Sequence, residues 1–501
     1  MHRLWLLAVP ALVLAACGGA ASSDDTARSD PAEQSVVEDQ AAQPDAPAQA
    51  ADTPAATANA EPGTYDPDAI DQRGLLFWDS LTGEGFLTAP DSLLEALDTL
   101  ATSGHPGADK YLVDLANVPT PYALRIIEHL RVRFDRPDAM TLSDFPELAV
   151  LPEGDTQTPR YLEFKRTLFG SIDPTFGIFL SERFPHTLDA REVRYGGVGV
   201  DVIPPLEFPG YVSADEASAW LNADDEVVGV SIEGDVRAFP LRILGWHEML
   251  NDTVGGVPIS LAYCTLCGSA IVYDGRLDGA LYRFGTSGLL YRSNKLMYDR
   301  TTRTLWNQFT GQPAWGSLVD QGLRLTAIPS TYTTWGEWVA ANPNTTVLDV
   351  NTGFPFDYSP GAAYASYNSS PDLIFQVPVT DDRLAQKDEV FVVTEGEALI
   401  AFPVTALAQA SLVNETLADR PIVAIATPDG MGGRAFERGA REFVAADLAA
   451  GVVTDADGVD WTIEETGLRS PGGEILPRVN GSNAFWFAVA NLVPDARLYE
   501  P

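Results

Sequence analysis

Cysteine is scarce in this chain, with three among 501 residues. That excludes a small scaffold built on disulfides. Histidine, with five, is nearly as rare. Positive charge is also in short supply: Lys and Arg number 32 against 70 Asp and Glu, a formal net charge of −38. A chain so acidic offers no basic surface to the phosphates of nucleic acid, so no nucleic-acid partner is expected. It has no broad electrostatic grip on anionic lipid either. No apolar run reaches the ~20 residues that a membrane-spanning helix needs. What the chain does have is material for a core, 45% apolar and 10% aromatic. Its length predicts two to four domains at about 150 residues each.

The first residues read MHRLWLLAVPALVLAAC. Arg3 and the amino terminus form a short positive stretch, and Leu4 to Ala16 is apolar, the pattern of a secretory leader. Leu14-Ala15-Ala16-Cys17 resembles the lipobox of a bacterial lipoprotein signal. The resemblance implies a leader over 1–16, diacylglycerol on Cys17, and a cell-envelope, extracytoplasmic location held to the membrane by the lipid anchor. Gly18 after the cysteine points toward the outer membrane. Residues 17–68 then read as the lipidated cysteine and an acidic tether. From 18 to 68 the chain is rich in Ala, Pro, Asp, Ser and Gln, with 11 acidic residues and the single basic Arg28. Such a composition cannot bury enough to fold. Its r.m.s. reach is ~40 Å, enough to lift a body off a membrane.

From 69 to 205 the signals are helical. DSLLEALDTLA places Leu93, Leu94, Leu97 and Leu100 on one face, and YALRIIEHLRVRF and RYLEFKRTLF follow. The lone His105, His129 and His186 read as surface or structural residues. Beyond this the chain repeats itself. Residues 228–267 align without a gap on 391–430. Ala238-Phe239-Pro240 falls on Ala401-Phe402-Pro403, Asn251 on Asn414, and Pro258-Ile259 on Pro421-Ile422. Asp299 and Trp306 have counterparts in Asp455 and Trp461, and Trp335 in Trp486. The pattern predicts an α+β fold: a duplicated mixed or antiparallel sheet domain behind a helical N-terminal domain. The expected units are repeat 1 over 206–350, a bridging segment over 351–386, and a degenerate repeat 2 over 387–501. LRILGWHEMLN reads as a helix in repeat 1.

What both copies keep reads as scaffold. What only repeat 1 carries is a candidate for function: Trp246, His247, Glu248, Cys264 and Cys267, against Gln409, Ala410, Ser411, Thr427 and Gly430. Cys264-Thr265-Leu266-Cys267-Gly268 spaces two sulfurs to face one metal ion, and the glycine allows the turn of a metal knuckle. Leu241, Leu244 and His247 share a helical face that repeat 2 makes apolar, so His247 is expected inside, next to the cysteines. His247, Cys264 and Cys267 would form a site for copper or zinc with an open position for Glu248, water or substrate. The same two cysteines can instead close a disulfide, redox-active or structural, or stand as buried thiols. The adjacent His-Glu lacks the spacing of the zinc deaminases. Ser287, in Gly-Thr-Ser-Gly, reads as a tight turn. Arg292, Lys295, Asp299, Arg300 and Trp306 line either a cleft or the faces of hairpins. Tyr358, Tyr364 and Tyr367 mark the bridging segment as an exposed aromatic surface or an ordered loop.

Together AFPLRILGWHEMLND, YCTLCGSAIVYD, FGTSGLLYRSNKLMYDR, LWNQFTG and DYSPGAAYASY resemble the domain-of-unknown-function family 3179 from about 195 to 501. Members usually read Cys-Pro-Leu-Cys-Gly, and Thr265 stands where they have Pro. The resemblance implies fold and boundaries and no reaction. Three functions therefore follow from the residues. They are a copper or zinc site, a thiol–disulfide protein using Cys264 and Cys267, and a binding or assembly module with an architectural cysteine pair.

Overall fold

The computed structural model describes residues 91–501 apart from 104–105, 121, 151–156 and 380. The leader, Cys17, the tether and His105 lie outside the described residues. The described chain is mixed α+β. No helix in it is long and apolar enough to cross a membrane.

Five helices come first: α1 (Asp91–Thr102), α2 (Asp109–Asn117), α3 (Ala123–Arg133), α4 (Pro159–Gly170) and α5 (Pro174–Phe179). Local chemistry sets where they start. Thr158 Oγ1 accepts the Tyr161 N–H at the head of α4, and Asp173 accepts the Thr175 N–H at the head of α5, with Pro159 and Pro174 in the first turns. The buried faces, Leu112, Leu115, Ile126, Leu130, Phe164 and Leu168 among them, do not close a core of their own. That core continues through Leu289, Leu296, Tyr298, Leu305 and Trp315 of the body. Lys165 secures the junction from inside, with its Nζ at 2.7 Å from both Asp114 and the Val193 carbonyl.

The body has a first half, up to Leu348, and a second, from Glu389. After β1 (Val193–Tyr195), β2 (Leu206–Glu207) and β3 (Tyr211–Ser213), the first half runs β4 (Glu226–Ile232), β5 (Asp235–Pro240), α6 (Leu241–His247), β6 (Met249–Val254), β7 (Val257–Cys264) and β8 (Ser269–Asp274). It continues with β9 (Phe284–Tyr291), β10 (Asn294–Asp299), β11 (Leu305–Asn307), β12 (Gln312–Trp315), β13 (Ala327–Ile328), β14 (Ser330–Thr334), α7 (Trp335–Ala341) and β15 (Thr346–Leu348). The second half runs β16 (Glu389–Glu395), β17 (Ala398–Pro403), α8 (Val404–Ala410), β18 (Leu412–Leu417), β19 (Arg420–Ala426) and β20 (Gly433–Glu437). Then come β21 (Phe443–Asp447), β22 (Val452–Asp455), β23 (Asp460–Glu464), β24 (Gly467–Arg469), β25 (Ile475–Val479), β26 (Gly481–Phe485), α9 (Trp486–Leu492) and β27 (Arg497–Leu498).

Each half has a small sheet, ordered β14-β4-β5-β15-β3 in the first and β26-β16-β17-β27 in the second. In each the late strand joins in parallel, and the other pairs are antiparallel. The remaining strands curl toward a barrel. In the second half they form one eight-stranded sheet from β18 to β21, and its open seam is bridged by Asn414. That side chain donates to the Phe443 carbonyl at 2.8 Å and accepts the Phe443 N–H at 3.0 Å. Asn251 does the same for Phe284, at 2.8 and 3.0 Å, where β6 meets the start of β9. Asp299 takes the indole N–H of Trp306 at 3.1 Å, and Asp455 that of Trp461 at 2.9 Å. The residues shared between the halves are thus seam and turn chemistry.

The helix read through LRILGWHEMLN is shorter than its apolar spacing suggests. It stops at His247 because Glu248 takes φ +55°, and its N–H closes on the Leu244 carbonyl at 2.7 Å. Residues 249–254 then form a strand. Ser287 lies in a bulge of β9 rather than in a tight turn. Its hydroxyl accepts the Leu289 N–H and donates to the Leu296 carbonyl.

Candidate functional site

The tip between β7 and β8 is closed by a disulfide, Cys264–Cys267, with Cα atoms 5.2 Å apart. Its backbone turn is ordinary: Cys267 N–H donates to the Cys264 carbonyl at 3.1 Å. Gly268 carries φ +60°, which favours glycine, and a Cβ there would stand 3.0 Å from the Phe485 ring, a tight contact. The matching tip between β19 and β20 makes the same turn without sulfur. Gly430 N–H donates to the Thr427 carbonyl, and Thr427 Oγ1 bridges Asp429 and the Gly432 N–H.

Each tip docks on the opposite half. The Cys267 carbonyl accepts the Phe485 N–H at 2.7 Å. Asp429 accepts the Thr334 N–H at 2.7 Å and the Thr333 hydroxyl at 2.6 Å. Glu465 adds a second tie, between Arg434 and Arg478, and accepts the Thr331 hydroxyl at 2.7 Å. Glu226 opens β4 opposite Thr334, and Glu389 opens β16 opposite Phe485. Burial raises both carboxyls. Glu389, which also feels Glu226, is lifted to about 7.

Beneath the disulfide lies a buried ion pair. Lys295 Nζ stands 3.0 Å from Glu248 Oε2, 3.0 Å from the Glu248 carbonyl and 3.4 Å from the Tyr263 carbonyl. Glu248 Oε1 also receives the Tyr364 hydroxyl at 3.1 Å and the Thr265 hydroxyl, from between the two cysteines, at 3.4 Å. Lys295 is 4% exposed and Glu248 8%. Burial pushes the Lys295 ammonium down, and Glu248 opposes that. The second half has Ser411 and Gly451 at these places. The bridging segment covers the cluster, with Tyr364 and Tyr367 turned inward and Tyr367 donating to the Leu266 carbonyl at 2.7 Å. These tyrosines serve as an ordered cover and not as an exposed surface.

The expected metal centre is not assembled in this arrangement. The cysteines are joined to each other, which leaves no thiolate to ligate a metal. His247 is buried, as expected, but it faces elsewhere. Its Nδ1 must donate to the Pro204 carbonyl, at 2.7 Å, so Nε2 accepts from Tyr358 Oη at 2.6 Å, which is in turn bonded to Thr352. Burial lowers the imidazole to about 4. Among the described residues no group of three or more His, Cys, Asp and Glu side chains is placed to hold a metal ion. His129 is paired with Asp98, and His186 stacks on Trp315. The other candidates are hairpin residues: Arg292 pairs with Glu192, Arg300 with Asp201, and Asp299 caps its own turn. The Glu248–Lys295 contact spans 47 residues, and only the confinement of Glu248 to one copy signalled it.

The family model described as protein of unknown function (DUF3179) matches residues 200–496, and the chain belongs to that family. No curated protein and no solved structure matches it.

Proposed function

We propose that this protein is a thiol–disulfide redox protein centred on Cys264 and Cys267. One observation carries the reading. Of two corresponding tips that each dock on the opposite half, one is built without sulfur, so the fold does not need the disulfide to make the tip. The half that has the disulfide also has the buried Glu248–Lys295 pair beneath it, where the second half has Ser411 and Gly451. We read the two halves as copies of one ancestral unit, of which the second kept only the scaffold role.

The test is equilibration of the native protein in dithiol–disulfide buffers, with the thiols trapped by alkylation and counted by mass. A Cys264–Cys267 couple above about −300 mV supports the proposal, since structural disulfides lie below that level. A bond that resists reduction until the protein unfolds refutes it. The burial of Cys264 at 2% and Cys267 at 0% favours the rival reading, an architectural pair in a binding or assembly module. Copper or zinc enters only through the reduced pair, and His247 would first have to leave Pro204 and Tyr358. Metal content after reduction reads that case directly.

The envelope location rests on the sequence around Cys17. Incorporation of labelled fatty acid, lost in Cys17→Ser, is the expected result; a Cys17→Ser chain labelled like the original would refute it.

A further inference from the structure

Resting on the redox reading, we infer that Glu248 and Lys295 form the proton-handling pair of the disulfide. The geometry is specific. Glu248 occupies the left-handed residue that ends α6, a place where a carboxylate side chain brings backbone cost and no capping benefit. Its carboxylate turns inward to Lys295 and to Thr265, which sits between the two cysteines. Lys295 also reaches the backbone at the Glu248 carbonyl and, on the disulfide-bearing strand next to Cys264, at the Tyr263 carbonyl. The turn before Lys295 also meets the sulfur, with Cys267 Sγ 3.7 Å from the Ser293 carbonyl. The other groups facing the pair are the Tyr364 hydroxyl from the bridging segment, Tyr263 on β7 and, at longer range, Asp201. His247 is adjacent in sequence but directed to Pro204 and Tyr358.

The chemistry needs such a pair. A thiolate of an external dithiol attacks one cysteine sulfur. A new S–S bond forms, the Cys264–Cys267 bond breaks, and its electron pair stays on the departing sulfur. That thiolate would be left in a site closed to water, where an unpaired charge is costly. Lys295, its ammonium already weakened by burial, gives up a proton through Glu248, and the sulfur leaves as a neutral thiol. In the second exchange the remaining thiol of the dithiol passes its proton to the pair, which restores it, and attacks the mixed disulfide. The second cysteine leaves as thiolate and takes its proton from the pair in the same way, and the pair is recharged with the proton that the first dithiol thiol released to water. The sum is one dithiol oxidised to its disulfide and two cysteines reduced.

The experiment follows reduction of the full-length protein by dithiothreitol between pH 6 and 9, with each rate divided by the concentration of dithiothreitol thiolate. The wild-type normalised rate is expected to fall as pH rises and Lys295 loses its proton. Glu248→Gln is expected to be at least tenfold slower at pH 7 and flat with pH. The double variant Glu248→Gln/Lys295→Met leaves no lone buried charge, so it is the arm to use if the single variant does not fold, and it is expected to behave like the single one. Variants that reproduce the wild-type rate and profile overturn the inference while leaving the redox reading intact. A native wild type that dithiothreitol cannot reduce overturns the redox reading itself, and the inference with it.

Discussion

Replacing Glu389 by Gln should make the protein more stable at pH 8 and leave it nearly unchanged at pH 5. Glu389 opens β16 at the junction of the halves, where burial and the neighbouring Glu226 lift its carboxyl from 4.5 to about 7. A carboxyl raised in the folded state gives stability that is fully present below about pH 4.5 and lost as pH rises through 7. At ~1.36 kcal/mol per pH unit, that rise corresponds to about 3 kcal/mol by pH 8. Water reaches part of the side chain, which reduces the figure to about 1–2 kcal/mol. Gln keeps the shape and cannot ionise, so it escapes this loss. The assay is urea denaturation of wild type and Glu389→Gln at both pH values, reading the gap between the two midpoints. Because the carboxylates away from Glu226 titrate alike in both proteins, the change in the gap belongs to the junction. An equal gap at pH 5 and pH 8 would refute the reasoning.

Three further expectations follow. Asn251→Ala and Asn414→Ala each strand a buried N–H and carbonyl at a seam and should cost about 1–3 kcal/mol by denaturation; losses below a few tenths would mean the seams hold without them. Glu465→Gln should cost about 3–5 kcal/mol, because it leaves Arg434 and Arg478 buried without their counter-charge. Its carboxyl is held at about 2 against a normal 4.5, so its contribution is present above pH 4.5 and fades as pH falls toward 2. His247, lowered to about 4, should keep a neutral ring from pH 5 to 8 by NMR; it contributes stability above pH 6.5 that is lost as pH falls toward 4. A His247 titrating near 6.5 would mean the Pro204–His247–Tyr358 chain does not form.

Much of the body could be read from the chain because its two halves carry the same local chemistry. The Asn251/Asn414 and Asp299/Asp455 correspondences were visible as repeats, and each is a seam or turn in the fold. The pairing of Glu226 with Glu389 was open to the same reading, since they lie just ahead of the aligned block, but a match of two carboxylates says nothing of their being brought together. The strand 249–254 was missed because the apolar spacing of α6 continues past His247, whereas the left-handed backbone at Glu248 ends it. The inward turn of His247 was legible from the apolar face it shares. Its partners were not, because Pro204 and Tyr358 come from segments whose approach depends on tertiary packing. The same is true of Lys295 and Glu248.

The exchange of tips between halves sets how the molecule can come apart. The tip at 264–268 is held by a strand near the end of the chain, and the tip at 427–432 by strand β14 of the first half. Neither half keeps its own projection in place. A chain cut between them would leave β14 and β26 as bare sheet edges, the kind of surface on which aggregation starts. Opening one tip also loosens the strand that receives the other, so the two halves are expected to melt in a single transition and to tolerate a break in the backbone far less well than their separate sheets suggest.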